Sequence, residues 1–156
     1  MAELTGRTQI FSGSTASIDT IQQHAFGTRA FDTAGNEYIY LTGVASTVVG
    51  SWVTYDELGI TTLLVANAIG PVAVAMAITD ATTEYGWYCI RGTVEGSLAA
   101  NCAANASIGY EGASGAAGDG KAAGDTIYGA FSRDATTTAA IATCQITYPF
   151  VDDNSN

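Results

Sequence analysis

The chain has 156 residues, with 15 acidic side chains against 5 basic ones and a formal net charge of -10. That length builds one domain, and 47% hydrophobic with only 13% charged residues gives apolar material for a core and too few charges for a disordered polyelectrolyte. The basic residues Arg7, Arg29, Arg91, Lys121 and Arg133 lie singly and far apart, so the clustered cations that phosphate binding needs are missing and nucleic acid is not an expected partner.

The opening Met1-Ala2-Glu3-Leu4-Thr5-Gly6 has neither a basic nor a continuous apolar stretch, which predicts no secretory leader. Residues 1–31 scatter Leu4, Ile10, Phe11, Ile18, Ile21, Phe26 and Phe31 among polar residues without a period. They are expected to form an extended arm, ordered by contact with something else. A β domain is expected over 32–151 and a solvated acidic tail over 152–156.

Within the β domain, Asp32-Thr33-Ala34-Gly35-Asn36 is a turn cluster opening onto Glu37-Tyr38-Ile39-Tyr40-Leu41, a hairpin pattern. A strand follows at Ser51 to Tyr55. The most apolar stretch, Ile60 to Ile78, is interrupted by Thr61, Thr62, Asn67 and Gly70-Pro71, which argues against a membrane span. Its second half, Pro71 to Ile78, alternates large and small apolar residues at a period of two, predicting a central strand with Val72, Val74, Met76 and Ile78 on one face. Tyr85 to Val94 is aromatic and β-branched, a second central strand able to cover that face with Trp87. Residues 99 to 124 thin to Ala, Gly, Asn and Ser around one short strand, Ser107 to Tyr110. Thr126 to Phe131 and Ala139 to Tyr148 complete the set, the last expected to stop at Pro149, which cannot donate to a ladder. Many short strands, glycine-rich turns and no capped helical stripe predict an all-β sandwich or small barrel in a single compact unit.

No residue pattern reaches the specificity of a catalytic motif. The one histidine, His24, lies in the irregular arm and lacks a rigid surround that could tune it as a base. The carboxylates Asp32, Glu37, Asp56, Glu57 and Glu84 mostly neighbour Gly, Asn or Thr, where acidic residues serve turns. Cys89, Cys102 and Cys144 have no metal-ligand spacing and are expected as buried free thiols. Gly118-Asp119-Gly120-Lys121 lacks the spacing of a phosphate or calcium loop. No cofactor, no metal and no enzymatic activity are expected.

The order of blocks Phe26-Gly27-Thr28-Arg29-Ala30-Phe31-Asp32, Gly35 to Tyr40, Ala66-Asn67-Ala68-Ile69-Gly70, Tyr85-Gly86-Trp87-Tyr88 and Ile146-Thr147-Tyr148-Pro149-Phe150-Val151 resembles the capsid decoration, or cement, proteins of tailed bacteriophages. The resemblance spans about residues 24 to 151; residues 99 to 124 are longer than in the better-known small members. It implies a β-tulip-like domain that binds the outer surface of the mature head in many copies. It also implies bridging of major capsid protein subunits, self-association as a homotrimer, and synthesis in the host bacterial cytoplasm before placement on the virion. The surface expected to carry this contact is Ile10, Phe11, Ile18, Ile21, His24, Phe26 and Arg29. Two alternatives share the composition: a tail- or fibre-associated β domain, and a carbohydrate-binding module using Trp52 and Trp87 in a concave site.

Overall fold

A computed structural model describes residues 13–153, and among them there are eleven strands and no helix. In chain order these are β1 (Ile18–Asp19), β2 (Arg29–Phe31), β3 (Glu37–Thr42), β4 (Trp52–Tyr55), β5 (Thr61–Leu63), β6 (Gly70–Ala75), β7 (Tyr85–Leu98), β8 (Ser107–Tyr110), β9 (Ala117–Gly118), β10 (Thr126–Ser132) and β11 (Ala140–Val151). They hydrogen-bond into one closed system in the order β2-β3-β7-β9-β8-β10-β11-β6-β4-β5, with β1 added on β7 and further pairings of β7 with β11 and β6. The all-β architecture expected from the alternation and the turns is the one observed.

Strand β7 is the hub because its two halves serve different partners. Residues 85–91 pair with β3, Val74 and Ala75 of β6 pair with Cys89 and Tyr88, and residues 91–98 pair with β11. Just before β3 begins, the Asn36 side chain extends the pairing: its Oδ1 accepts from the Thr93 N–H at 2.9 Å, so this donor of β7 keeps an acceptor.

The central strands are buried on both faces, and alternation sorts their side chains. Tyr38, Tyr40, Trp52, Val72, Val74, Trp87 and Cys89 join Val94, Leu98, Ile108, Ile127, Cys144 and Ile146 in one cluster. Their neighbours in sequence, Ile39, Leu41, Val53, Ala73, Ala75, Tyr88 and Ile90, form a second. Complete burial of each large aliphatic or aromatic side chain is worth about 1.5–3 kcal/mol, which is why the most apolar strands occupy this position. Cys89, Cys102 and Cys144 are buried and free.

Two sequence expectations are corrected here. Val72 and Val74 share the Trp87 cluster and Met76 packs partly against it, but Ile78 is exposed, because the strand ends at Ala75. Thr79 takes the inward place instead: it bridges Thr47, and its hydroxyl donates to the Val44 carbonyl while accepting from the Val44 N–H. Strand β11 runs through Pro149 to Val151, because Pro149 falls at a bulge where no ladder donor is required. At that bulge the Thr147 backbone packs so closely on Gly129 that a β-carbon on the glycine would lie 2.7 Å from the Thr147 carbonyl oxygen, and Tyr148 takes a positive φ of 44°. Trp52, on a strand of mixed polarity, is fully buried and donates from Nε1 to the Ser97 carbonyl at 3.1 Å.

The described part of the expected arm lies back on its own domain. Residues 29–31 form the first arm of the β2–β3 hairpin, and β1 pairs Ile18 with Gly86 and Asp19 with Tyr85.

Candidate functional site

Residues 17–28 form a strap over the aromatic surface of β3 and β7. The Asp19 carboxylate accepts from the Tyr40 hydroxyl at 2.7 Å, and that hydroxyl accepts from the Gln23 N–H at 3.2 Å. Burial, with Asp19 beside it, pushes the Tyr40 phenol up to about 12, so it remains a donor at all ordinary pH. The exposed His24 ring packs edge-on to Tyr40, with centroids 5.0 Å apart, and tilts against Trp87 at 5.3 Å. Phe26 lies 5.8 Å from Tyr85 and over Gly59, where an added β-carbon would come within 2.6 Å of the Phe26 Cβ. The slot therefore requires glycine.

Beside the strap, the Glu37 carboxylate is buried and has both oxygens occupied. Arg29 Nη1 donates to Oε1 at 2.8 Å and the Tyr148 hydroxyl donates to Oε2 at 2.5 Å. A buried carboxylate requires such partners. The hydrogen bond to Glu37, followed by partial burial, raises the Tyr148 phenol above its ordinary value.

Around this network runs a series of open grooves that share walls. One of about 670 Å³ is lined by Gln22, Phe26, Thr42, Leu58, Ile60, Thr82 and Tyr85. A narrower one of about 190 Å³ shares Phe26 and adds Tyr55, Asp56 and Glu57. A third, about 460 Å³, shares those last three and reaches Ile69, Gly70 and Pro71. Pro71 pairs with Phe150 on β11, and Phe150 stacks on Tyr128 with centroids 5.0 Å apart. Leu58 is 62% exposed, Ile69 73% and Phe150 48%. The result is an apolar band from Tyr85 past the β4–β5 turn to the outer face of β10 and β11.

Of the residues expected to carry a contact, the structure brings Phe26 into the band, places Arg29 in the network behind it, and leaves Ile18 and Ile21 exposed on the strap with His24. Ile10 and Phe11 lie outside the described residues. Sequence reasoning missed Leu58, Ile60, Ile69, Tyr128 and Phe150. A usable signal was present for three of these: Leu58 and Ile60 flank Gly59 at a turn, and Ile69 lies in the loop that leads into β6, positions with no strand face on which to bury.

The remaining candidates serve the fold. Asp32 Oδ1 accepts from the N–H groups of Ala34 and Asn36, Asp56 Oδ1 from those of Leu58 and Ile60, and a Glu84 oxygen from that of Asp80. In the Gly118-to-Lys121 loop, the Glu111 carboxylate accepts from the Gly120 N–H, and Lys121 donates to the Ser107 carbonyl. Trp52 and Trp87 are core side chains, so the concave sugar platform expected of them does not exist at those positions. Among the described residues there is no group of three or more His, Cys, Asp or Glu that could hold a metal ion, and no helix is long and apolar enough to cross a membrane. No protein-family model, no curated protein and no solved structure matches the chain.

Proposed function

We propose that the protein is a decoration protein of a tailed-bacteriophage head, bound to the outer surface of the mature shell and bridging neighbouring major capsid protein subunits, with self-association as a trimer. The observation that carries the docking part is the band of exposed apolar side chains grouped along joined grooves, with the carboxylates Asp56 and Glu57 between its apolar ends; clustered exposed apolar surface marks protein interaction sites on folded domains. Support for the phage head comes from the order of sequence blocks. Such a role needs no catalytic step and no cofactor, and the net charge of -10 suppresses adventitious binding to nucleic acid. Individually weak contacts suffice, because many copies act on one lattice.

The test is reconstitution. Expanded, tailless heads lacking the protein should take it up on co-sedimentation and then release DNA at a higher temperature than bare heads. Absence of binding, or identical release temperatures with the protein bound, overturns the proposal. Binding to tails or fibres alone would transfer it to the tail-associated reading.

A further inference from the structure

We infer that the trench beneath the β4–β5 turn is a charge-selective seat for an extended protein segment that carries one Lys or Arg between apolar residues. This rests on reading the band as a protein-docking surface, and not on which protein supplies the segment.

Three features specify the occupant. The grooves are open and joined end to end through shared Phe26 and shared Tyr55, Asp56 and Glu57, a shape suited to a length of chain rather than a compact small molecule. Their walls are apolar at both ends, with Phe26 on one side and Ile69 and Pro71 on the other. Between those ends stand two carboxylates that no cation neutralises: among the described residues the one ion pair is Arg29–Glu37. Asp56 has one oxygen committed to its own turn, whereas Glu57 makes neither a side-chain hydrogen bond nor an ion pair among the described residues.

An unpaired carboxylate rim between apolar pockets attracts a cation and repels an anion, and the contrast sharpens as apolar neighbours exclude water. Phosphate-bearing partners are disfavoured on the same ground. A second copy docking through this same surface would bring two unneutralised carboxylate rims into one interface, a like-charge juxtaposition.

The experiment uses the full chain and a displayed library of random octapeptides. Selected peptides should carry a single Lys or Arg flanked by apolar residues. Replacing that residue with Glu should weaken binding at least tenfold, and Glu57→Lys in the protein should invert the preference. Ile69→Ser, which removes the apolar wall without adding charge, should weaken the basic peptides comparably, while both variants keep the wild-type melting temperature, since both side chains are exposed.

Failure to select any peptide, selection of acidic or uncharged peptides, or binding indifferent to both variants overturns the inference. So does a tenfold gain in peptide affinity on removing residues 1–12, because the seat would then belong to the chain's own Leu4-to-Phe11 segment with Arg7. Heads are absent from this assay, so its outcome is independent of whether the protein binds a capsid.

Discussion

Trp52 has the largest fully buried side chain in the protein, and its Nε1–H is spent on the Ser97 carbonyl. Trp52→Ala should cost about 3–5 kcal/mol, and Trp87→Ala a comparable amount, out of a typical domain stability of about 5–15 kcal/mol. Trp52→Phe keeps a ring but loses the hydrogen bond to the part-buried Ser97 carbonyl together with some indole volume, and should cost less than Trp52→Ala, about 1–3 kcal/mol. Chemical denaturation of the three variants checks this order; a Trp52→Ala variant melting with wild type would remove Trp52 from the core. Asp32 sets a pH dependence. Burial raises its pKa, but hydrogen bonds from Asn36, Tyr38 and the Ala34 N–H outweigh this and leave it below the ordinary 3.8. A carboxyl depressed on folding stabilises the protein above its unfolded pKa and loses that contribution as pH falls through the folded value. Asp32→Asn should therefore melt below wild type at pH 7, with the gap closing below about pH 3.8, as thermal melts across that range would show.

At the scale of elements, the strap is the part most easily detached. It contributes to the sheet the two-residue pairing of β1 and a pair of backbone hydrogen bonds between Gly27, Thr28 and Tyr40, with a few side-chain hydrogen bonds and ring contacts on Tyr40, Trp87 and Tyr85. Removing residues 1–25 leaves every pairing among β2 to β11 intact, so the remainder should fold, with a lower melting temperature and readier quenching of tryptophan emission by acrylamide as Trp87 is uncovered. Unchanged quenching would mean that the strap does not shield that ring. Its legibility in the sequence was partial. The lack of a period in residues 1–31 led to the expectation of an extended arm, and a period cannot report that Asp19, His24 and Phe26 each have a specific partner on β3, β7 or the β4–β5 turn. The β11 bulge was hidden for a similar reason: Pro149 ends a strand only if its nitrogen faces a ladder acceptor, and the partner Gly129, not Pro149, decides that.

For the whole molecule, the apolar band is the feature whose loss should separate function from stability. Leu58→Asp combined with Ile69→Asp changes two exposed side chains, each expected within about 0.5 kcal/mol of neutral for folding. The double variant should melt close to wild type and bind heads at least tenfold less. Undiminished head binding would move the contact away from the β4–β5 turn, to the β10–β11 end of the band or to the exposed strap residues Ile18 and Ile21.

The class of fold and most of the core follow from local properties of the chain. Two-residue alternation, aromatic runs and glycine-rich turns are local properties, and they suffice to place Val72, Val74, Trp87 and Cys89 in one apolar layer with Ala73, Ala75, Tyr88 and Ile90 facing the other way. Turn chemistry likewise identified Asp32 and Asp56 as turn formers, because an Asx hydrogen bond spans only a few residues. Which apolar residues stay outside is set by long-range packing. Exposure of Leu58, Ile69 and Phe150 depends on which strands neighbour them, and Phe150 meets Tyr128 and Pro71 only because β11 leaves β7 and pairs with β10 and β6. Burial of Glu37 had the same origin: its partners Arg29 and Tyr148 are 8 and 111 residues away, and only chain closure across the sheet brings both to one carboxylate.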